Sequence, residues 1–168
     1  MRHHLALALA AIALLLTACG FQPRRALTLP PELGAVQVES GDRYSRLADG
    51  LARALERAGA NADKAADRQR RARLRIVSER WNEGPLSTDA TARIREYVTR
   101  YSVQFELIDA AGVTRVPRET VELSREYAFD ATRSFGTPAE QEVIREELQR
   151  DMVAAILRRI DASLRADD

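Results

Sequence analysis

Histidine, cysteine and lysine are almost missing from this 168-residue chain. His3 and His4 are its two histidines, Cys19 is its one cysteine and Lys64 its only lysine. Beyond residue 19 the chain therefore cannot build a Ser-His-Asp or Cys-His catalytic site, a zinc site with imidazole ligands, or a disulfide. No catalytic residue, metal site or cofactor is expected. An excess of one charge is missing too: 26 Lys and Arg face 25 Asp and Glu. No global field steers such a domain to nucleic acid, and no nucleic-acid partner is expected. A membrane-length apolar run is also lacking. Residues 5–16 are unbroken apolar for 12 residues, and at about 1.5 Å each they fall well short of a roughly 30 Å hydrocarbon core.

What is present at the N-terminus has the build of an export signal. Arg2 supplies a positive start, the short apolar run follows, and Leu16-Thr17-Ala18 sets small residues before Cys19. The pattern resembles a bacterial lipobox. That resemblance implies cleavage before Cys19, a diacylglyceryl thioether on its sulfur and an acyl group on the new amino terminus. Three chains, each contributing about 0.8 kcal/mol per buried CH₂, hold far more firmly than one. Gly20 follows the cysteine where an Asp would suggest inner-membrane retention, so the implied address is the periplasmic side of the cell outer membrane. The expected organisation is a signal peptide over 1–18, an extended tether over 19–34 and one α/β domain over 35–166. The 150 residues after Ala18 suffice for one domain burying roughly 70% of its unfolded surface. Removing Arg2 with the signal leaves the mature chain formally neutral.

Pro23, Pro30 and Pro31 rule out a helix or central strand in the tether. Residues 35–39 form a short apolar strand ended by Ser40-Gly41-Asp42, which combines turn chemistry with an available helix cap. Over 43–58, Leu47, Leu51, Ala54, Leu55 and Ala58 lie on one helical face, and Gly59 stops the helix. Arg68, Arg70, Arg71, Arg73 and Arg75 then crowd together. They read either as a basic patch for phosphates or as a solvated connection into an edge strand. The alternation of Arg73 and Arg75 with Leu74 and Ile76 favours the second.

That strand is expected from Ala72 to about Trp81, where Asn82-Glu83-Gly84-Pro85 signals a turn. Trp81 at the rim either caps the core or meets a partner. Residues 94–109 are the strongest strand, with Arg95, Tyr97, Thr99, Tyr101, Val103, Phe105 and Leu107 on one face and Glu96, Arg100, Ser102, Gln104 and Glu106 on the other. Ala110-Ala111-Gly112 reverses the chain into a strand over 113–129, whose first part Pro117 makes an edge or a bulge. Thr137-Pro138-Ala139-Glu140 reads as a capped helix start. Behind it Ile144, Leu148, Met152, Ala155, Ile156, Arg159, Ile160 and Ser163 share a stripe.

The expected fold class is α+β: a two-layer sandwich of a four-stranded mixed sheet with two helices on one face, in the order β-α-β-β-β-α. Its polar sheet face is left for water or a wet partner.

Cys19-Gly20-Phe21 after the lipobox, Ser40-Gly41-Asp42, Arg95-Glu96-Tyr97, Ser124-Arg125-Glu126-Tyr127 and Glu140-Gln141 occur in that order. Together they resemble the LPS-assembly lipoprotein family, LptE, over essentially the whole mature chain. The resemblance implies a non-enzymatic outer-membrane lipoprotein that plugs the LptD β-barrel, assists its assembly and helps deliver lipopolysaccharide to the outer leaflet. Its implied partners are LptD, lipopolysaccharide and the membrane reached through Cys19. The family's lipopolysaccharide contacts are basic residues before the third strand and before the last helix. The corresponding places here hold Ala90 and Thr137, so nearby Arg93, Arg95 and Arg133 are the candidate contacts, since guanidinium pairs bidentately with phosphate. Two alternatives stand beside this reading: a lipoprotein serving another outer-membrane assembly machine, and a periplasmic enzyme working through paired carboxylates.

Overall fold

The computed structural model describes residues 33–60, 71–88, 90–91, 93–128 and 138–166. The elements are β1 (Val36–Ser40), α1 (Arg46–Arg57), β2 (Ala72–Thr88), β3 (Ile94–Ile108), β4 (Thr114–Ala128) and α2 (Pro138–Ala166). They form one four-stranded sheet in the order β1-β2-β3-β4. Strands β1 and β2 run parallel, and the other neighbours run antiparallel. Both helices cover one face. Leu47, Leu51 and Leu55 from α1 and Leu148, Met152, Ile156, Ile160 and Leu164 from α2 close over Leu74, Tyr101, Val103, Phe105 and Leu107. This is the expected two-layer α+β architecture.

The local chemistry explains most boundaries. Asp42 turns the chain after β1 by accepting from the Tyr44 N–H at 2.9 Å. The α1 cap is Ser45, three residues past the expected turn, and its Oγ accepts from the Ala48 N–H at 3.1 Å. At the other end Gly59 sits at φ 92°, and the Ala60 and Gly59 N–H groups return to the Leu55 and Glu56 carbonyls at 3.0 Å each. In the β3–β4 turn the Asp109 carboxylate accepts from the Ala111 and Val113 N–H groups, both at 2.9 Å. Between α1 and α2, a Cβ added at Gly50 would meet Val153 Cγ2 at 2.9 Å. The close approach of the two helices there depends on a residue without a side chain.

Three expectations need correction. Asn82-Glu83-Gly84-Pro85 is not a turn: β2 runs through it, with Gly84 opposite Val98 and Pro85 opposite Tyr97. The reason lies in the neighbours. Strand β1 pairs with β2 only as far as Ile76, so beyond that point β2 is an edge, and a proline without an N–H is tolerated there. Conversely, Ala72 to Ile76 is not an edge but lies between β1 and β3. Arg75 accordingly contributes to no open phosphate patch, because its guanidinium lies 3.6 Å from Glu39 and 2.9 Å from Glu106. In α2, Arg159 leaves the buried stripe to pair with Glu119 at 2.9 Å, while Leu164 joins it.

The expected irregularity at Pro117 is a bulge. Phe105 faces Glu119 and Leu107 faces Val116, so β4 carries one extra residue across this step.

Candidate interaction site at the far end of the sheet

Strands β2, β3 and β4 continue past β1, and what covers this extension is mainly α2. Helix α2 runs back along β4 on a ladder of ion pairs: Asp151 meets Arg125 at 2.7 Å and Arg159 meets Glu119 at 2.9 Å. Toward its start, Gln141 and Arg145 reach Glu83 of β2 at 3.3 and 3.9 Å. Glu79, Trp81 and Glu83 all face the helices, because they lie opposite Val103, Tyr101 and Thr99.

Each carboxylate organises a cluster. Glu79 accepts from Tyr101 Oη at 2.6 Å and from Ser45 Oγ at 3.0 Å, tying the α1 cap to the centre of the sheet. The Tyr101 ring is fully buried and stacks on Trp81 with centroids 3.8 Å apart. Trp81 is thus half-buried core on one side. Its surroundings also line a groove of about 320 Å³ with Arg46, Glu142, Arg145 and Gln149, spanned by the 2.8 Å Arg46–Glu142 pair. Farther out, Glu83 accepts from Tyr127 Oη, and the Tyr127 ring lies beside Tyr97 at 5.8 Å.

These clusters suit cohesion better than acid–base chemistry. Burial, then the hydrogen bond and charge of Glu79, hold the Tyr101 phenol far above its ordinary range. Burial, then the bond and charge of Glu83, push Tyr127 up to about 12. Glu79 and Glu83 are four residues apart on one strand, about 13 Å between backbones. That exceeds the roughly 5–10 Å over which paired carboxylates cooperate in glycoside hydrolysis.

A folded pKa above the unfolded value means that Tyr127 stabilises the fold fully below about pH 10 and loses that contribution as pH rises through about 12. Tyr127→Phe is expected to flatten the corresponding alkaline decline in stability. Urea unfolding followed from pH 8 to 11.5 checks this, and an unchanged decline in the variant would refute it.

Of the sequence-derived contacts, Arg93 and Arg95 are exposed at the start of β3 and are engaged by neighbours. They belong to the same end of the sheet as Tyr97, Tyr127 and Glu83, and Glu96 between them and Tyr97 holds Ser87 Oγ at 2.6 Å. Glu96 also lies opposite Ala128, the last residue of β4. Ala90 is exposed on the β2–β3 connection. Cys19, Arg133, Thr137, the signal and most of the tether lie outside the described residues, as do Arg68 and Arg70. The acceptors Glu79 and Glu83 are structural organisers that the sequence reading passed over. Their signal was the alternation Glu79-Trp81-Glu83 running straight into the supposed turn.

Among the described residues, no helix is long and apolar enough to cross a membrane. A family model for LptE, lipopolysaccharide assembly, matches residues 33–160. A curated relative named LPS-assembly lipoprotein LptE, from Yersinia enterocolitica, is 27% identical over 161 residues, covering 95% of this chain and 77% of that protein. Among solved structures, an uncharacterized lipoprotein B from Nitrosomonas europaea is similar with a TM-score of 0.68 at 24% identity, over 85% of this chain and 91% of that one. Rare lipoprotein B from Shewanella oneidensis has a TM-score of 0.65 at 20% identity, over 77% of this chain and 96% of that one. At these identities the two structures speak for the fold.

Proposed function

Because the chain belongs to the LptE family of lipopolysaccharide-assembly proteins, we propose that it is a non-catalytic outer-membrane lipoprotein that plugs the LptD barrel, assists its assembly and helps pass lipopolysaccharide outward. The observation that carries this reading is the family match, which spans every strand and most of α2. The surface supports it. Among the described residues the exposed large apolar side chains are Tyr44, Leu86, Val113 and Val143, spread over two connections, β2 and α2. A domain with so little exposed apolar area suits wet contact inside the water-filled lumen of a large barrel. Acylation of Cys19 would supply the anchor, with residues 19–34 as tether and 35–166 as the working domain.

Affinity capture of the mature lipoprotein from gently solubilised outer membranes is the decisive experiment. A large barrel is expected in the eluate, and recovery of the domain as a free monomer would overturn the reading. Mass spectrometry should find residue 19 acylated and at the new amino terminus. Arg93, Arg95 and Arg133 are assigned to lipid A phosphates. Replacing all three by Glu should weaken crosslinking to lipopolysaccharide while leaving the circular dichroism spectrum intact, and undiminished crosslinking would remove that assignment alone.

A further inference from the structure

Among the described residues the sheet has open edges at β1, at β2 past Ile76 and at β4, and only the last contains a long regular stretch. Strand β1 presents just five residues. The edge of β2 is broken by Gly84-Pro85 and by register shifts between Pro85 and Ser87 and between Ser87 and Thr88. The first part of β4 carries Pro117 and the bulge opposite Phe105 and Leu107. Shortness, proline and bulges are the usual means by which an edge is kept from pairing with another chain. The rest of β4 has none of them. From Thr120 to Ala128 its register against Gln104 to Glu96 advances one residue for one. Among the described residues nothing pairs with its outer side, so this stretch offers a row of backbone N–H and C=O groups about 30 Å long.

The side chains along that row differ between the two faces. On the helix side Val121 and Leu123 are half-buried against the core, and Arg125 is taken up by Asp151 at 2.7 Å. A groove of about 290 Å³ between β4 and α2 is lined by Val121, Ala155, Arg158, Arg159 and Ala162. Its short members, Val121, Ala155 and Ala162, leave room for the side chains of an added strand. On the open face Glu122, Ser124 and Glu126 are exposed and lie opposite Ser102, Arg100 and Val98. Among the described residues neither glutamate has an ion-pair or hydrogen-bond partner. Arg100 stands diagonal to both at about 7–8 Å, one guanidinium for two carboxylates.

We propose that Thr120 to Ala128 is a docking edge for strand addition, and that its occupant is an extended segment of a second protein that alternates small apolar residues toward α2 with Lys or Arg on the open side. Only an extended chain matches donors and acceptors alternating at strand spacing, and pockets beside the edge then select alternate side chains. The groove selects small apolar ones. Glu122 and Glu126 select basic ones, because opposite charges facing each other across neighbouring strands attract and like charges repel. The same rule disfavours a second copy of this chain. The fullest antiparallel self-pairing of the stretch is centred on Ser124 and sets Glu122 of each copy against Glu126 of the other. The assignment goes beyond the function proposed above and stands whichever protein supplies the strand.

The test uses the full lipoprotein in detergent micelles and two synthetic peptides the length of Thr120 to Ala128, one alternating Val with Lys and one alternating Val with Glu. At saturation the Val-Lys peptide is expected to slow amide hydrogen exchange within Thr120 to Ala128 at least about tenfold, and to leave Thr114 to Glu119 and the β2 edge unchanged. The Val-Glu peptide should bind about tenfold more weakly, since it turns the cross-strand pairs into like-charge pairs. Glu122→Lys with Glu126→Lys should exchange the two preferences. Ala162→Trp, at an exposed position, fills the groove and should weaken the Val-Lys peptide at least about fivefold with an unchanged circular dichroism spectrum. The two peptides compared on the wild-type chain keep the proposal testable if a variant folds poorly. Equal binding of both peptides, protection on another edge or none at all overturns it. So does a dimer in sedimentation whose β4 amides are already protected without peptide, because the occupant is then a second copy.

Discussion

Tyr101→Ala is expected to lower the unfolding free energy by about 3–5 kcal/mol, the range for truncating a large buried aromatic. The ring is fully buried at the centre of β3 and stacks on Trp81 at 3.8 Å. Its hydroxyl donates to Glu79 at 2.6 Å. The truncation removes packing, a stacked pair and a hydrogen bond together, and leaves a cavity where the long sheet extends past β1. Urea denaturation read by far-ultraviolet circular dichroism measures it, and a midpoint shift worth less than about 1 kcal/mol would show that the site collapses around the loss. Tyr101→Phe separates the contributions. It keeps the ring and should cost about 1–2 kcal/mol, the usual range for one buried hydrogen bond.

Glu79→Ala comes second, at about 2–4 kcal/mol, although Glu79 is only half-buried. The loss arises from its partners: Tyr101 Oη and Ser45 Oγ both donate to this one carboxylate, and each donor left unpaired in a buried place costs about 1–3 kcal/mol. Ser45 keeps its capping bond from the Ala48 N–H, so part of the penalty is offset. The double variant Glu79→Leu with Tyr101→Phe removes acceptor and donor together and should be less destabilised than the sum of its two single variants. A double-mutant cycle that finds strict additivity would mean that the Glu79–Tyr101 bond contributes nothing to stability.

These two residues show where a sequence is informative about such a fold. Tyr101 was placed on the core face by the alternation of β3, which holds in the burial from Thr99 to Leu107. Glu79 obeys the same alternation with Trp81 and Glu83, yet an acidic residue on an inward face has no meaning until its donors are known. Those donors stand 34 and 22 residues away, on α1 and β3. The Tyr127–Glu83–Gln141 cluster is likewise assembled from three elements, with separations of 44 and 58 residues. Of the candidate site, Arg93 and Arg95 were found by likeness to a family.

Read alone, the sequence determined the order of elements, the buried faces of α1 and β3, the helix stop at Gly59 and an edge or bulge at Pro117. All depend on interactions within a few residues: periodicity of 3.6 or 2, a left-handed glycine, a proline without an N–H. Tertiary structure decided whether Asn82-Glu83-Gly84-Pro85 is turn or strand, where β2 is central and where it is an edge, and which arginines are neutralised. Each of those turns on a partner supplied from far along the chain: β3 holds β2 extended past its glycine and proline, β1 stops at Ile76, and Glu39 and Glu106 meet Arg75. Local propensity cannot encode that choice, because the free energy that makes it is released only when distant strands meet.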